Sequence, residues 1–140
     1  MSTNTALRAA LRNYAEAKNR HDVEAILAAY SPDGRYQDPG VRQPIIGRPQ
    51  LRTFYTAFFE SVPDYRGEFD GMAFGEDTVV VWGRMTGTTQ TDLLGLPVRP
   101  GSRFEVPVTF VCTFGGGQLI SDIGYFDTRI LHRQVGRQNR

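Results

Sequence analysis

The sequence predicts an α+β fold in which helices come first and a curved, mostly antiparallel sheet follows. Apolar residues recur at three- and four-residue spacing over roughly the first sixty positions, and from Tyr65 onward they alternate in the manner of strands. The change of period happens once, with no internal repeat and no low-complexity linker between the halves. At 140 residues, 40% of them hydrophobic and 22% charged, the chain fits one domain (1–140, with a core over about 8–136 and a short tail at 137–140) large enough to bury a core.

Leu7, Leu11, Tyr14 and Lys18, with Ala10 and Ala15 beside them, form one stripe and predict a first helix after a cap at Thr3 or Asn4; Tyr14 then faces inward. Asp22 caps a second, shorter helix carrying Val23, Ile26, Leu27 and Tyr30, and Ser31-Pro32-Asp33-Gly34 ends it as a turn. A short strand over Arg35 to Asp38 leads into a loop from Pro39 to Gly47. Pro49 then fits the first turn of a third helix bearing Leu51, Phe54, Tyr55, Phe58 and Phe59, stopped by Pro63-Asp64.

The remaining strands are expected at Tyr65 to Phe74, Thr78 to Thr88, Arg103 to Phe114 and Leu119 to Phe126, with turns at Gly75-Glu76-Asp77 and Gly115-Gly116-Gly117; the last three make a meander. A final helical stretch, Thr128 to Val135, closes the domain. Phe104, Val106, Val108, Phe110, Cys112 and Phe114 give one strand a wholly apolar side. In the last strand the odd positions Leu119, Ser121, Ile123, Tyr125 and Asp127 share a mostly apolar face, which is expected to turn toward the pocket and bring Asp127 with it. Val79 to Trp82 is apolar on both faces, so another subunit is expected to cover the outside of the sheet, and a homodimer follows.

A formal charge of +1 gives no general attraction for nucleic acid or an anionic membrane, so the expected partner is small and neutral. The single Cys112 supplies neither a disulfide nor a cysteine metal cluster and suits a reducing compartment. Arg8 and Arg12 interrupt any signal-like apolar run, and no stretch is long enough to span a bilayer, so a cytoplasmic protein is expected. His21 and His132 have no second ligand at metal spacing, and the triple glycine lacks the lysine and helix of a phosphate loop, so neither a metal nor a nucleotide cofactor is expected.

Tyr36-Gln37-Asp38-Pro39-Gly40 is the segment that carries chemistry. A carboxylate enclosed by apolar side chains is hard to ionise, which suits it to taking and returning protons, and Asp38 is therefore a candidate acid/base. Each candidate has a structural alternative. Asp-Pro-Gly is also a turn signature, Asp127 also fits a cap for the closing helix, and Tyr14 also fits a core tyrosine with a satisfied hydroxyl.

Tyr14 to Pro39, with Asn19, Asp22, Ile26 and Asp38 in place, resembles the opening of ketosteroid isomerase, in the superfamily of nuclear transport factor two. Over more of the chain the similarity is to SnoaL-like polyketide cyclases: Gly47-Arg48, Val62-Pro63-Asp64, Leu94-Gly95-Leu96-Pro97, Gly124-Tyr125-Phe126-Asp127-Thr128 and Gln134-Val135-Gly136, in that order. The resemblance implies a cone-shaped, cystatin-like α+β barrel, usually dimeric, with a deep apolar pocket for a small hydrophobic carbonyl-containing or polycyclic ligand and no cofactor. In the isomerase pattern Asp38 matches the carboxylate that moves a proton next to a ketone, and Tyr14 matches the phenol that binds the enolate oxygen. The second oxyanion donor of that pattern aligns with Phe110, which cannot donate, so steroid isomerisation is not expected. In the cyclase pattern Asp127 aligns with the acid/base residue.

The expected function is thus cofactor-independent aldol-type cyclisation or a related proton transfer, with Asp127 as shuttle, Asp38 as second acid/base and Tyr14 as donor. An epoxide-opening hydrolase or cyclase, or a ketosteroid-isomerase-like isomerase, of the same fold is the nearest alternative, although Arg84-Met85-Thr86 lacks the Arg-x-Asp pattern of limonene-type epoxide hydrolases. A noncatalytic ligand-binding or dimerisation module is the other, because one fold hosts many functions.

Overall fold

The computed structural model describes residues 3–137. Helix α1 (Thr3–Asn19) buries Leu7, Leu11, Tyr14 and Lys18, the stripe its sequence lays out. It already includes Thr3 and Asn4, the two residues expected to cap it. Helix α2 (Val23–Ala29) is capped by Asp22, whose carboxylate accepts from the amide of Ala25. Tyr30 leaves the helix with an extended backbone and opens strand β1 (Tyr30–Gln37).

The expected turn at Ser31 to Gly34 instead lies inside that strand. Tyr30 pairs with Leu119 and Arg35 with Ser121, so residues 31–34 bulge out of the ladder opposite a single partner residue. A bulge accommodates Pro32, which has no amide hydrogen to give a neighbour. The Pro39 to Gly47 connection contains a short strand β2 (Ile45–Ile46), antiparallel to β1. Gly47, at φ +86°, caps helix α3 (Arg48–Ser61), which buries Leu51, Phe54, Tyr55 and Phe59.

Four strands form one meander: β3 (Arg66–Phe74), β4 (Thr78–Thr89), β5 (Ser102–Gly115) and β6 (Gln118–Tyr125). The sheet order is β2-β1-β6-β5-β4-β3, with β1 and β6 parallel and every other pair antiparallel. The architecture is therefore the predicted mixed, mostly antiparallel α+β one, a curved sheet against N-terminal helices. The sheet does not close into a barrel, since β2 and β3 remain as its two edges. Helix α4 (Thr128–Val135) follows β6 and packs against β5.

The core lies between the concave face of the sheet and the helices. Phe104, Val106, Val108, Phe110, Cys112 and Phe114 of β5 are all buried, as their alternation predicts. In β6 the parity breaks. Thr113 pairs with Ser121 but Phe114 with Leu119, so Ile120 is an extra residue and lies outward, two-fifths exposed. Beyond this bulge it is Asp122 and Gly124 that face inward, while Tyr125 is exposed. No helix among the described residues is long and apolar enough to cross a membrane.

Candidate active site

The meeting of α1, α3, α4, β1, β4 and β5 leaves a cavity of about 70 Å³. Its walls are mostly aromatic: Phe54, Phe58 and Phe59 come from α3 at helical spacing, Phe104 and Phe110 from β5, and Phe126 from the residue just after β6. Leu93 and Leu94, in the connection between β4 and β5, also line it. That connection is a wall of the site, tied down where Arg99 donates to the carbonyls of Gln134 and Gly136. Into this apolar lining project Lys18, Tyr36, Asp38, Tyr55 and Tyr65.

Asp38 is the only carboxylate among the cavity-lining residues described. It follows β1 directly, and because side chains two apart share a strand face, Tyr36 points the same way. The Tyr36 hydroxyl donates to Asp38 Oδ2 at 2.5 Å, and the amide of Gly40 donates to Oδ1 at 2.7 Å. The functional and the turn explanations of Asp38 both apply: one oxygen closes the Asp-Pro-Gly turn while the carboxyl faces the cavity. Burial, together with the charge of Asp38, pushes the Tyr36 phenol well above its usual range, so it remains a protonated donor.

Behind the cavity lies a second, fully enclosed polar cluster. Tyr14 Oη stands 2.9 Å from Tyr30 Oη and 2.7 Å from Tyr55 Oη, those two are 2.8 Å apart, and Tyr14 donates to Asp122 Oδ2 at 2.6 Å. With Asp122 ionised, three hydroxyl hydrogens serve four short contacts. Tyr14 therefore does not match the predicted role of donor to a substrate oxygen: its hydrogen goes to Asp122, and its side chain does not line the main cavity. Burial raises its phenol far above the ordinary range, with the neighbouring Asp122 adding to the effect.

Asp127 is the second correction. It caps α4, accepting from the amide of Arg129 at 2.9 Å and pairing with the Arg129 guanidinium at 3.2 Å, with its side chain two-fifths exposed. Its hydrogen bonds from Arg129 hold its carboxyl below the usual range, which makes it a poor proton shuttle. The expected inward face of β6 fails because the Ile120 bulge reverses parity.

The bulge turns inward a residue that the alternation assigned to the outside. Asp122 is fully buried, touches Cys112 Sγ at 3.5 Å and stands 3.9 Å from Lys18 Nζ. Burial raises its carboxyl above the ordinary range despite the opposing influence of Lys18 and Tyr14. Lys18 was legible as a charge on the buried stripe of α1, one turn after Tyr14, although nothing in the pattern told its reach into the cavity. Among the described residues no group of His, Cys, Asp and Glu is placed to hold a metal ion.

The structure is similar to that of a proposed SnoaL-like polyketide cyclase from Jannaschia, with 22% identity, coverage of 96% of this chain and 94% of that one, and a TM-score of 0.84. A proposed polyketide cyclase from Xanthomonas campestris superposes with a TM-score of 0.81 at 23% identity, covering 95% and 98% of the two chains. A protein of ketosteroid isomerase-like fold from Catenulispora acidiphila, solved with trimethylamine, does so at 0.76 with 18% identity and coverage of 89% and 90%. These likenesses show the fold. No curated protein sequence matches the chain. Residues 11–122 match the model of the SnoaL-like domain, so the chain belongs to the SnoaL-like domain family.

Proposed function

We propose that this protein is a cofactor-independent enzyme that moves a proton on a small polyketide-like carbonyl compound, in an aldol-type cyclisation or a related isomerisation, with Asp38 as the base. The observation that carries this is the placement of Asp38 as the one described carboxylate on the wall of an aromatic-lined cavity. An aldol closure needs a base for the proton beside a carbonyl, and the same carboxyl returns that proton to the new alkoxide. The lining folds a flexible substrate so that its reacting carbons meet. At about 70 Å³ the cavity is well below the roughly 300–1,000 Å³ of ordinary ligand sites, so the reading favours a single-ring or short-chain substrate over a polycyclic one.

The outer face of the sheet supports a homodimer. Trp82, Thr109 and Tyr125 lie opposite one another on three neighbouring strands, and Trp82 and Tyr125 are 42% and 54% exposed. A second copy covering that row accounts for large apolar side chains directed outward. Placement in the cytoplasm fits a free, buried Cys112.

The test is solvent-deuterium exchange into a cyclic 1,3-diketone, followed by mass spectrometry. Wild type should accelerate exchange, and Asp38→Asn should lower the acceleration by two orders of magnitude or more with the fold intact. A ligand that binds tightly yet exchanges no faster than in buffer would identify a binding module instead.

A further inference from the structure

We propose that Lys18 is the group that receives the substrate oxygen, its ammonium holding the negative charge that forms on a carbonyl when Asp38 takes the neighbouring proton. The inference rests on the proposed proton transfer and adds to it the site's electrophile and a preference for ligands that carry an enolate-like or phenolate-like oxygen on a flat apolar body.

Lys18 is 8% exposed and lines both the main cavity and the smaller space behind it. An ammonium carries three hydrogen-bond donors. Its anionic neighbour, Asp122 Oδ2, is 3.9 Å away, beyond hydrogen-bond reach, and that oxygen is already held at 2.6 Å by Tyr14. Ring faces also stand around Lys18 Nζ: Phe110 at 4.3 Å, Tyr14 at 5.1 Å and Tyr36 at 6.0 Å. Aromatic faces offset part of the cost of burying a cation, yet they accept no ordinary hydrogen bond. A ligand oxygen entering the cavity does.

The other polar groups leave this role open. Tyr36 gives its hydrogen to Asp38, Tyr55 is engaged with Tyr14 and Tyr30, and Tyr65, which lines both spaces with Lys18, brings a neutral hydroxyl and no positive charge. Phe110, at the position where the isomerase-like pattern has a second donor, presents only a ring, and Lys18 stands over that ring. Lys18 is the one cation among the cavity-lining residues described.

The charge state fits a donor and not a nucleophile. Burial alone pulls the ammonium down, but Tyr65, Asp122 and Tyr55 around it pull up more strongly, and the net shift is above the ordinary lysine range. A lysine that stays protonated does not form an imine with a carbonyl. In the step proposed, the electron pair of the breaking C–H bond becomes the C=C bond of the enolate, the carbonyl π pair moves to oxygen opposite Lys18, and the proton goes to Asp38. Asp38 then returns it to carbon in an isomerisation or to the alkoxide in a ring closure. Lys18 keeps its own protons throughout.

The experiment is spectrophotometric titration with 4-nitrophenol, whose anion absorbs in the visible and whose neutral form does not. Wild type is expected to bind the anion and to lower the apparent pKa of the bound phenol. Lys18→Met should weaken anion binding at least tenfold and leave bound phenol neutral. Because that variant strands Asp122, the same comparison is made between Asp122→Asn, which keeps the cation, and Lys18→Met/Asp122→Asn, which removes both charges. Equal anion affinity in those two, or no anion binding by wild type at millimolar phenol, overturns the role of Lys18. Undiminished deuterium exchange in Asp38→Asn, with the phenolate response still lost in the Lys18 variants, overturns the base and leaves Lys18 standing.

Discussion

Lys18 Nζ and Asp122 Oδ2 face each other across 3.9 Å with almost no solvent at either group. Both shift the same way: burial drives Asp122 up in spite of Lys18, while Lys18 rises because Tyr65, Asp122 and Tyr55 together outweigh its burial. Removing one partner of such a pair typically costs about 3–5 kcal/mol. Lys18→Met should also alter the pH profile. Without the ammonium the folded pKa of Asp122 moves further above its unfolded value, so the protonated fold is favoured below the unfolded pKa and stability falls as pH rises through the folded one. Melting curves at pH 5 and pH 8 should show a larger deficit for Lys18→Met at pH 8. An equal deficit at both would mean that Asp122 does not feel Lys18.

Asp127→Asn and Asp127→Ala separate capping from catalysis. Asn retains a side-chain oxygen for the amide of Arg129 and should melt close to wild type, whereas Ala removes the cap and should melt a few degrees lower. Both should exchange deuterium into a diketone at the wild-type rate, because the carboxylate lies outside the cavity lining. A loss of rate as large as that expected of Asp38→Asn would return Asp127 to the mechanism.

These two carboxylates show how much of the site the sequence discloses. Asp38 reaches the cavity because nothing irregular intervenes between Tyr36 and the turn that begins at Asp38, and two-residue periodicity then holds. Asp127 fails because a single extra residue, Ile120, reverses every face after it, and the cross-strand partner that decides a bulge is not visible along one strand. The same reversal hides Asp122. Helices α1 and α3 and the extent of α4 were legible because each carries a complete apolar stripe or a cap. The strand character of residues 31–34 was not, since Pro-Asp-Gly signals a turn locally and only pairing with β6 holds those residues in a sheet.

Tyr14→Phe tests the inner cluster as structure. It removes the hydrogen that Asp122 Oδ2 receives at 2.6 Å and leaves a buried carboxyl without that donor, a loss of roughly 1–3 kcal/mol. Urea denaturation should report this destabilisation. At temperatures where the variant remains folded, 4-nitrophenol affinity should change less than in Lys18→Met, because the tyrosine does not line the main cavity. A greater loss in Tyr14→Phe would give its hydroxyl a direct contact with ligand.

The outward row on the sheet makes a separate prediction about assembly. Trp82 and Tyr125 flank Thr109 on adjacent strands, so a charge at either end lies inside any interface that covers the row. Sedimentation should find wild type dimeric at micromolar concentration and Trp82→Glu or Tyr125→Glu monomeric. A monomeric wild type would refute the homodimer.

Gly124→Ala probes the shape of the cavity wall. A β-carbon at that position would lie 2.9 Å from Phe110 Cε1 and 3.4 Å from Asp38 Cβ, so the methyl group must displace the Phe110 ring or crowd the base. The first contact is tighter than side chains tolerate, and overpacking of this kind costs roughly 1–3 kcal/mol. The ring that moves is also the one beneath Lys18 Nζ, at 4.3 Å. The substitution therefore disturbs the proposed base and the proposed oxygen-binding cation together without removing either group. The expected result is a folded protein with weakened phenolate binding and slowed exchange. If both activities persist at wild-type levels, the reacting atoms lie away from the Phe110–Gly124 wall, and the site must be sought toward Leu93 and Leu94 instead.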